Sequence, residues 1–445
     1  MSTTYDRALA TIQDRTATVG VVGLGYVGLP LADALHEGGL RVLGFDTDPS
    51  KVEALGAGEP YIGHLGPELT ARLAASARFE PTSDFARLAE ADVVVVCVPT
   101  PLAEGNEPDL GFVTETGRAI GRTLREGQLV VLESTTYPGT TRREFLDAVL
   151  ETSDGRLEQG TDFFVAYSPE REDPGSPTHR TATIPKLVGG LDARSARLAA
   201  EVYRAGFEEV VEVSSAEVAE AAKLLENTFR AVNIALVNEL KVILDAMDVD
   251  VWEVVRAAAT KPFGYMPFFP GPGLGGHCIP IDPFYLAWKA REVDRPTRFI
   301  ELAGVINTEM PRYVIGRIAE GLGSRAKALQ GSSILVVGLA DKRDVDDTRE
   351  SPSFVLIDEL TRAGADVAYH DPHVPVAPRT RRYDLGLASV ALPPERLAAS
   401  DAVLIATDHS CIDYAEIPEH APLVVDTRDA MRGHEDLLRD RLVRA

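Results

Sequence analysis

Short, nearly uninterrupted apolar runs alternate with longer amphipathic stretches over the first part of the chain. The runs fall at Thr18–Val22, Arg41–Asp46, Asp92–Pro99, Leu129–Glu133 and Phe163–Tyr167. Continuous Val, Leu and Phe, in place of strict alternation, suits strands whose sheet is covered by helices on both faces. Such strands in alternation with helices predict a doubly wound parallel sheet. Ala216–Met247 then runs without glycine or proline and with helical apolar spacing, which predicts a long connecting helix capped by Ser214 or Ser215. A further helical region over Arg298–Gly321 is expected to break or kink at Pro311. From Ser332 the alternation returns, with strands expected at Ile334–Leu339, Asp366–His370, Ala402–Thr407 and Leu423–Asp426.

The chain of 445 residues has room for this plan. The pattern predicts an α/β protein with two Rossmann-like doubly wound domains joined by a helical middle. The expected boundaries are residues 1–213, 214–322 and 323–445. A net charge of −23 repels nucleic acid and anionic lipid at long range, so neither is expected as a partner. An anionic substrate would need its own local cluster of positive charge. The three cysteines, Cys97, Cys278 and Cys411, are too few for a disulfide framework and fit a reducing compartment. They show no metal-type spacing with histidine, and no metal is expected. Cys97 and Cys411 are expected to be small buried hydrophobes. The polar start lacks a signal core and no run reaches the roughly 18 apolar residues that span a bilayer. A cytoplasmic protein without a membrane partner is expected.

The first strand runs into Gly23-Leu24-Gly25-Tyr26-Val27-Gly28, a G-x-G-x-x-G sequence that opens a helix. In that pattern Gly23 makes the turn, Gly25 lets the backbone approach a pyrophosphate, and Gly28 allows close helix–strand packing. The helix N-terminus then faces the phosphates. Asp46, at the end of the next strand, is placed to hold the adenosine ribose hydroxyls and to repel a 2′-phosphate, which favours NAD over NADP.

A second stretch, Gly275-Gly276-His277-Cys278-Ile279-Pro280-Ile281-Asp282, sets a cysteine behind two glycines with a carboxylate four residues on. Glycines let a bulky ligand approach the sulfur, and the carboxylate can hold water or move a proton. Cys278 is therefore read as a covalent nucleophile. Lys223 and Asn227 lie one turn apart on the long helix and are suited to hold an oxyanion and a water. Glu133-Ser134-Thr135-Thr136-Tyr137-Pro138 and Tyr167-Ser168-Pro169-Glu170-Arg171 end strands at the carboxyl edge, where doubly wound sheets bind ligands.

These ordered motifs, with Val98-Pro99-Thr100-Pro101 and Asp346-Asp347-Thr348-Arg349-Glu350-Ser351-Pro352, resemble the nucleotide-sugar 6-dehydrogenase family, relatives of UDP-glucose dehydrogenase. The resemblance spans nearly the whole chain. It implies a four-electron oxidation of a sugar C6 alcohol to a carboxylate with NAD, through a thiohemiacetal and a thioester on Cys278. It implies that Lys223 and Asn227 stabilise the developing oxyanion, and that Thr136, Glu170 and Asp282 position water and move protons. Tyr26, Val27, Pro99, Thr100 and Thr136 would join the glycines and Asp46 around the cofactor. Arg171, Phe269, Gly275, Lys342 and Arg349 would join Glu170, Lys223 and Asn227 around the substrate. The family resemblance also implies a homodimer or a larger homo-oligomer.

Three positions depart from UDP-glucose dehydrogenases. Pro174 replaces a second glutamate, His277 replaces a serine, and Asp341 stands where the family usually has a tyrosine. The Ser-Pro-Glu-Arg-Glu-Asp-Pro-Gly and Gly-Gly-His-Cys-Ile-Pro-Ile-Asp-Pro versions resemble the branch acting on UDP-N-acetylhexosamines, and within it the UDP-N-acetylglucosamine 6-dehydrogenases. UDP-N-acetylmannosamine and UDP-glucose are the alternative substrates. A two-electron hydroxyacid dehydrogenase would not need Cys278, and a non-catalytic nucleotide-sugar sensor would not need Lys223, Asn227 or Asp282.

Overall fold

The computed structural model describes residues 3–171, 181–276, 279–380 and 382–445. The chain separates into two compact units, one of Met1–Glu226 with Phe284–Arg295, the other of Asn227–Pro283 with Pro296–Ala445. The first unit is built on strands β1 (Thr18–Val22), β2 (Arg41–Phe45), β3 (Phe79–Thr82), β4 (Val93–Val96), β5 (Leu129–Leu132), β6 (Phe164–Tyr167), β7 (Lys186–Gly190) and β8 (Val210–Glu212). Their order in the sheet is β3-β2-β1-β4-β5-β6-β7-β8. Every pairing is parallel except β6–β7. The second unit holds β9 (Ser333–Val337), β10 (Asp366–His370), β11 (Ala402–Ile405), β12 (Val424–Asp426) and β13 (Leu442–Arg444), ordered β10-β9-β11-β12-β13 and all parallel.

Both sheets bury both faces, as continuous apolar strands require. Val93 and Val95 point into one core and Val94 and Val96 into another. Ile334 and Val336, against Leu335 and Val337, repeat this in the second unit. Each such side chain contributes about 1.5–3 kcal/mol on burial, which fixes the strands and so the positions of the loops at their carboxyl ends.

Nine of the expected strands form, most of them trimmed by one to four residues at their ends. Strands β3, β7, β8 and β13 were not expected. β3 carries Pro81 and sits at a sheet edge, where a missing N–H is tolerated. β7 opens on a lysine and ends on two glycines. β8 and β13 are three residues each and not buried, so no apolar run marks them.

The long helix spans Ala216–Asp245, and Ser215 rather than Ser214 caps it, its Oγ accepting from the Val218 amide at 3.3 Å. The second helical region is one helix, Arg298–Gly323, that continues through Pro311 without interruption. Met310 and Pro311 are both buried, and packing holds the turn where proline leaves the Asn307 carbonyl without its helical donor. Two shorter helices, Val251–Ala259 and Asp282–Glu292, complete the helical middle. Among the described residues, no helix is long and apolar enough to cross a membrane.

Candidate active site

The glycine loop after β1 divides its labour as the spacing predicts. Gly23 has φ +92°, and a Cβ there would meet the Cys97 carbonyl oxygen at 2.5 Å. A Cβ on Gly28 would lie 1.8 Å from the Gly23 carbonyl oxygen. A Cβ on Gly25 would meet nothing within 4 Å, so of the three motif glycines this one faces open space. Val27 precedes the helix Gly28–Glu37 and gives it no side-chain cap; the Leu29 amide donates to the Gly25 carbonyl at 3.1 Å and Pro30 has no N–H, so the Gly28 amide at the helix start is the one placed to meet a ligand. Tyr26 is half-buried against the core. Asp46 is buried at the end of β2, its carboxylate accepting from the amides of Leu24 (2.9 Å) and Asp48 (3.0 Å) and from Lys51 Nζ (3.2 Å).

After β4 and β5 the chain supplies Pro99, Thr100 and Thr136. Thr100 is buried and Pro99 exposed. Ser134 Oγ donates to the Val98 carbonyl at 2.7 Å and ties these two loops together. Thr136 is fully buried, and its hydroxyl has no hydrogen-bond partner among the described residues. An orphaned buried hydroxyl at a strand's carboxyl end is costly unless a ligand or water completes it. These residues fit a dinucleotide: an open glycine, an uncapped helix end, a carboxylate and an unsatisfied hydroxyl.

Two polar pairs project from the long helix. Lys223 Nζ donates to Glu170 Oε2 at 3.0 Å, and Asn227 Nδ2 donates to Asp282 Oδ2 at 2.6 Å. All four residues are at most 7% exposed. Buried charge is expensive and seldom stabilises a fold better than apolar packing would, so these pairs point to chemistry. Glu170 follows β6 on a stiff support. Ser168 Oγ donates to the Leu187 carbonyl at 2.7 Å, and Lys186 Nζ donates to the Pro169 carbonyl at 3.1 Å. Lys186 is also ion-paired with Glu133, which accepts from Tyr203 Oη at 2.7 Å. This buried Glu133–Lys186–Tyr203 group is absent from the sequence reading, since a lysine opening a short strand ordinarily reads as solvated. Arg171 pairs with Glu226 at 2.7 Å and donates to the Pro185 carbonyl at 2.8 Å.

In the second unit the Gly275–Gly276 pair packs on Asp341. A Cβ at Gly275 would stand 2.8 Å from Asp341 Cβ, and one at Gly276, whose φ is +83°, 2.8 Å from Asp341 Oδ2. The Gly276 amide donates to the Arg349 carbonyl at 3.0 Å. Burial, with Asp347 nearby, pushes the Asp341 carboxyl up to about 7 against the pull of Lys342, Arg349 and Arg428. Arg349 is exposed and holds Asp347 through side-chain contacts of 2.9, 3.1 and 2.6 Å. Phe269 is half-exposed. Arg428, which the sequence reading missed, follows β12 and donates from Nε to the Ala406 carbonyl at 2.7 Å. It adds a cation to the cluster that Lys342 and Arg349 begin. Cys278, His277 and Pro174 lie outside the described residues.

The other two cysteines divide. Cys97 is partly, not fully, buried against the first core, where desolvation and the Glu133 carboxylate push its thiol well above the usual range. Cys411 corrects the expectation of a buried hydrophobe: it is exposed, on a loop after β11, with Sγ 3.8 Å from His373 Nε2.

Three family models match the chain. The NAD binding domain of the UDP-glucose/GDP-mannose dehydrogenase family matches residues 17–206, its central domain residues 217–309, and its UDP binding domain residues 335–433. The protein named CapL from Staphylococcus aureus is 35% identical over 96% of this chain and 99% of its own length. A UDP-N-acetyl-D-glucosamine 6-dehydrogenase from Pseudomonas aeruginosa is 36% identical over 88% of this chain and 90% of its own. The solved structure of a UDP-D-ManNAc dehydrogenase from Pyrococcus horikoshii superposes with a TM-score of 0.83 at 30% identity, covering 93% of this chain and 96% of that one.

Proposed function

The chain belongs to the UDP-glucose/GDP-mannose dehydrogenase family, and from that premise we propose that it oxidises the C6 alcohol of a UDP-N-acetylhexosamine, UDP-N-acetyl-D-glucosamine foremost, to the uronic acid. The observation that carries this reading is the pair of buried contacts Lys223–Glu170 and Asn227–Asp282. Bound NAD supplies the hydride acceptor. Gly23, Gly25, Gly28 and the helix end they open would hold its pyrophosphate, with Tyr26 and Val27 in the same turn. Asp46 would hold its ribose, and Pro99, Thr100 and Thr136 would line the same edge of the first sheet.

In this mechanism the Cys278 thiolate adds to the C6 aldehyde, forming the C–S bond of a thiohemiacetal. After the second oxidation the same bond belongs to a thioester, which water cleaves to release the acid and restore the thiol. Lys223 and Asn227 donate hydrogen bonds to the oxygen that becomes negative on each addition. Glu170 and Asp282, each already bound to one of those donors, keep them oriented and accept protons from the alcohol and the water. Arg171, Lys342 and Arg349, with Phe269 and Gly275, are the proposed substrate contacts. A bidentate guanidinium such as Arg349 is the usual clamp for pyrophosphate in an otherwise acidic protein. The proposed functional segments are residues 1–213, 214–322 and 323–445, a division that the spans of the three family models support.

The stretch before the cysteine loop would receive the acetamide. Phe263, Met266 and Phe269 are 71%, 61% and 48% exposed there, and Phe268 packs edge-on against Phe229. An acetyl methyl needs such apolar contact, and in sequence Pro174 stands where UDP-glucose dehydrogenases carry a second glutamate. A panel of UDP-sugars assayed with NAD tests the assignment. UDP-N-acetylglucosamine is expected to exceed UDP-glucose in kcat/KM by about 10-fold or more. UDP-N-acetylmannosamine is the second reading, favoured by the Pyrococcus horikoshii structure, and a higher kcat/KM with it would replace the first.

A further inference from the structure

Four side chains distant in sequence converge beside the carboxyl edge of the second sheet. Asp344 lies in the loop after β9, His373 follows β10, and His409 and Cys411 follow β11. Cys411 Sγ is 3.8 Å from His373 Nε2, which is 3.9 Å from Asp344 Oδ1, which is 4.0 Å from His409 Nδ1. The ligand atoms of Asp344, His373 and His409 all fall within 4.8 Å of one another. Ligand atoms around a tetrahedral zinc ion at ordinary bond lengths stand roughly 3.3–3.8 Å apart. The separations of 3.8–4.0 Å exceed this slightly and the widest among Asp344, His373 and His409, 4.8 Å, by about 1 Å, so these side chains must close in, and Cys411 join them from beside His373, to complete a coordination shell.

His409 is set up as metal-bound histidines are. Its Nε2 lies 3.0 Å from Oδ2 of the buried Asp371, an acceptor that keeps the proton on Nε2 and leaves the Nδ1 lone pair toward Asp344. Asp371 is anchored in turn by the amides of Leu339 (2.7 Å) and Ala340 (2.9 Å). In this structure Nδ1 accepts from the Asp344 amide at 3.0 Å and Asp344 Oδ1 accepts from the Ser410 amide at 2.7 Å, and a bound ion would take the place of these two donors. Asp344 has φ 60°, an uncommon conformation for a non-glycine residue. Cys411 is exposed, which gives an ion a way in. Spacing along the chain hides the cluster, because only His409 and Cys411 are neighbours in sequence.

We propose that Asp344, His373, His409 and Cys411 bind a divalent transition-metal ion of the zinc class. Two imidazoles, a thiolate and one carboxylate select a borderline-soft ion over magnesium or calcium. The ion has no part in the oxidation. It would hold the loop that carries Lys342 and Arg349, since Asp344 lies between them.

The test uses chelator-treated full-length protein and Co²⁺ as an optical probe. A thiolate-to-cobalt charge-transfer band is expected, saturating at one equivalent and displaced by Zn²⁺. It should persist in Cys278→Ser, vanish in Cys411→Ser, and need at least 10-fold more Co²⁺ in His373→Ala. Zn²⁺ should raise the thermal midpoint of the wild type and of Cys278→Ser, but not of Cys411→Ser. Absence of the band, or a band lost in Cys278→Ser and kept in Cys411→Ser, overturns the proposal.

Discussion

Asp341 is a largely buried carboxylate on which the Gly275–Gly276 pair packs. Its carboxyl is pushed from an ordinary 3.8 to about 7 by burial and by Asp347. The folded state thus binds this proton more tightly than the unfolded chain does. The resulting stability is complete below about pH 4, falls as the pH rises, and is gone above about pH 7. Asp341→Asn cannot ionise and escapes that loss. Its thermal midpoint at pH 8 is expected to exceed the wild type's by roughly 2–4 °C. The gain should shrink steadily as the pH is lowered to 5, and a gain that does not depend on pH would refute the assignment. At this scale the sequence was most legible where glycine is obligatory. Gly23 and Gly28 are closed by backbone oxygens and Gly25 is open, as the spacing requires. The Glu133–Lys186–Tyr203 group was illegible because each member is unremarkable alone and only the sheet brings them together. Asp46 was legible in position, but not in having Lys51 at 3.2 Å. The expected preference for NAD over NADP is checked by comparing kcat/KM for the two cofactors, and equal values would remove Asp46 from that role.

Among the elements, the long helix Ala216–Asp245 organises the most chemistry. Besides Lys223 and Asn227 it carries Glu220, one turn earlier and fully buried. Glu220 accepts from the Gly139 amide (2.6 Å), the Thr141 amide (2.9 Å) and Thr141 Oγ1 (2.7 Å). Burial pushes its carboxyl up to about 7 even against those three bonds. It holds the segment that follows Thr136, so a helix side chain fixes a strand-end loop. Glu220→Ala strands two backbone donors, a loss of about 2 kcal/mol. The thermal midpoint is expected to fall by roughly 4–8 °C, with a rise in KM for NAD as Thr136 shifts; an unchanged midpoint would contradict this. The helix itself was legible from its length and periodicity. The weak strands were not, since β3, β7 and β8 owe their pairing to neighbours already in the sheet and not to an apolar pattern of their own.

For the whole molecule, the apolar surface left on the helices calls for a partner. Val218, Leu225, Phe229, Leu236 and Ile243 recur along one face of the long helix and are 43%, 67%, 45%, 52% and 42% exposed. Phe299, Leu302 and Val305 add 78%, 57% and 54% on the helix Arg298–Gly323. Exposed stripes of this kind are suited to an interface, and a second copy of the chain is the expected occupant. Light scattering at micromolar concentration should give a dimer or a multiple of it, and Leu225→Lys with Phe229→Lys should lower the mass. A monomeric wild type would contradict the proposal. The account as a whole rests on a four-electron oxidation routed through Cys278, and the most direct measurement is the stoichiometry of NADH against product. With UDP-N-acetylglucosamine limiting and NAD in excess, the wild type is predicted to form two NADH per sugar and the uronic acid by mass, and Cys278→Ala to form no acid while still binding NAD. One NADH per sugar in the wild type, or normal acid production by Cys278→Ala, would contradict it.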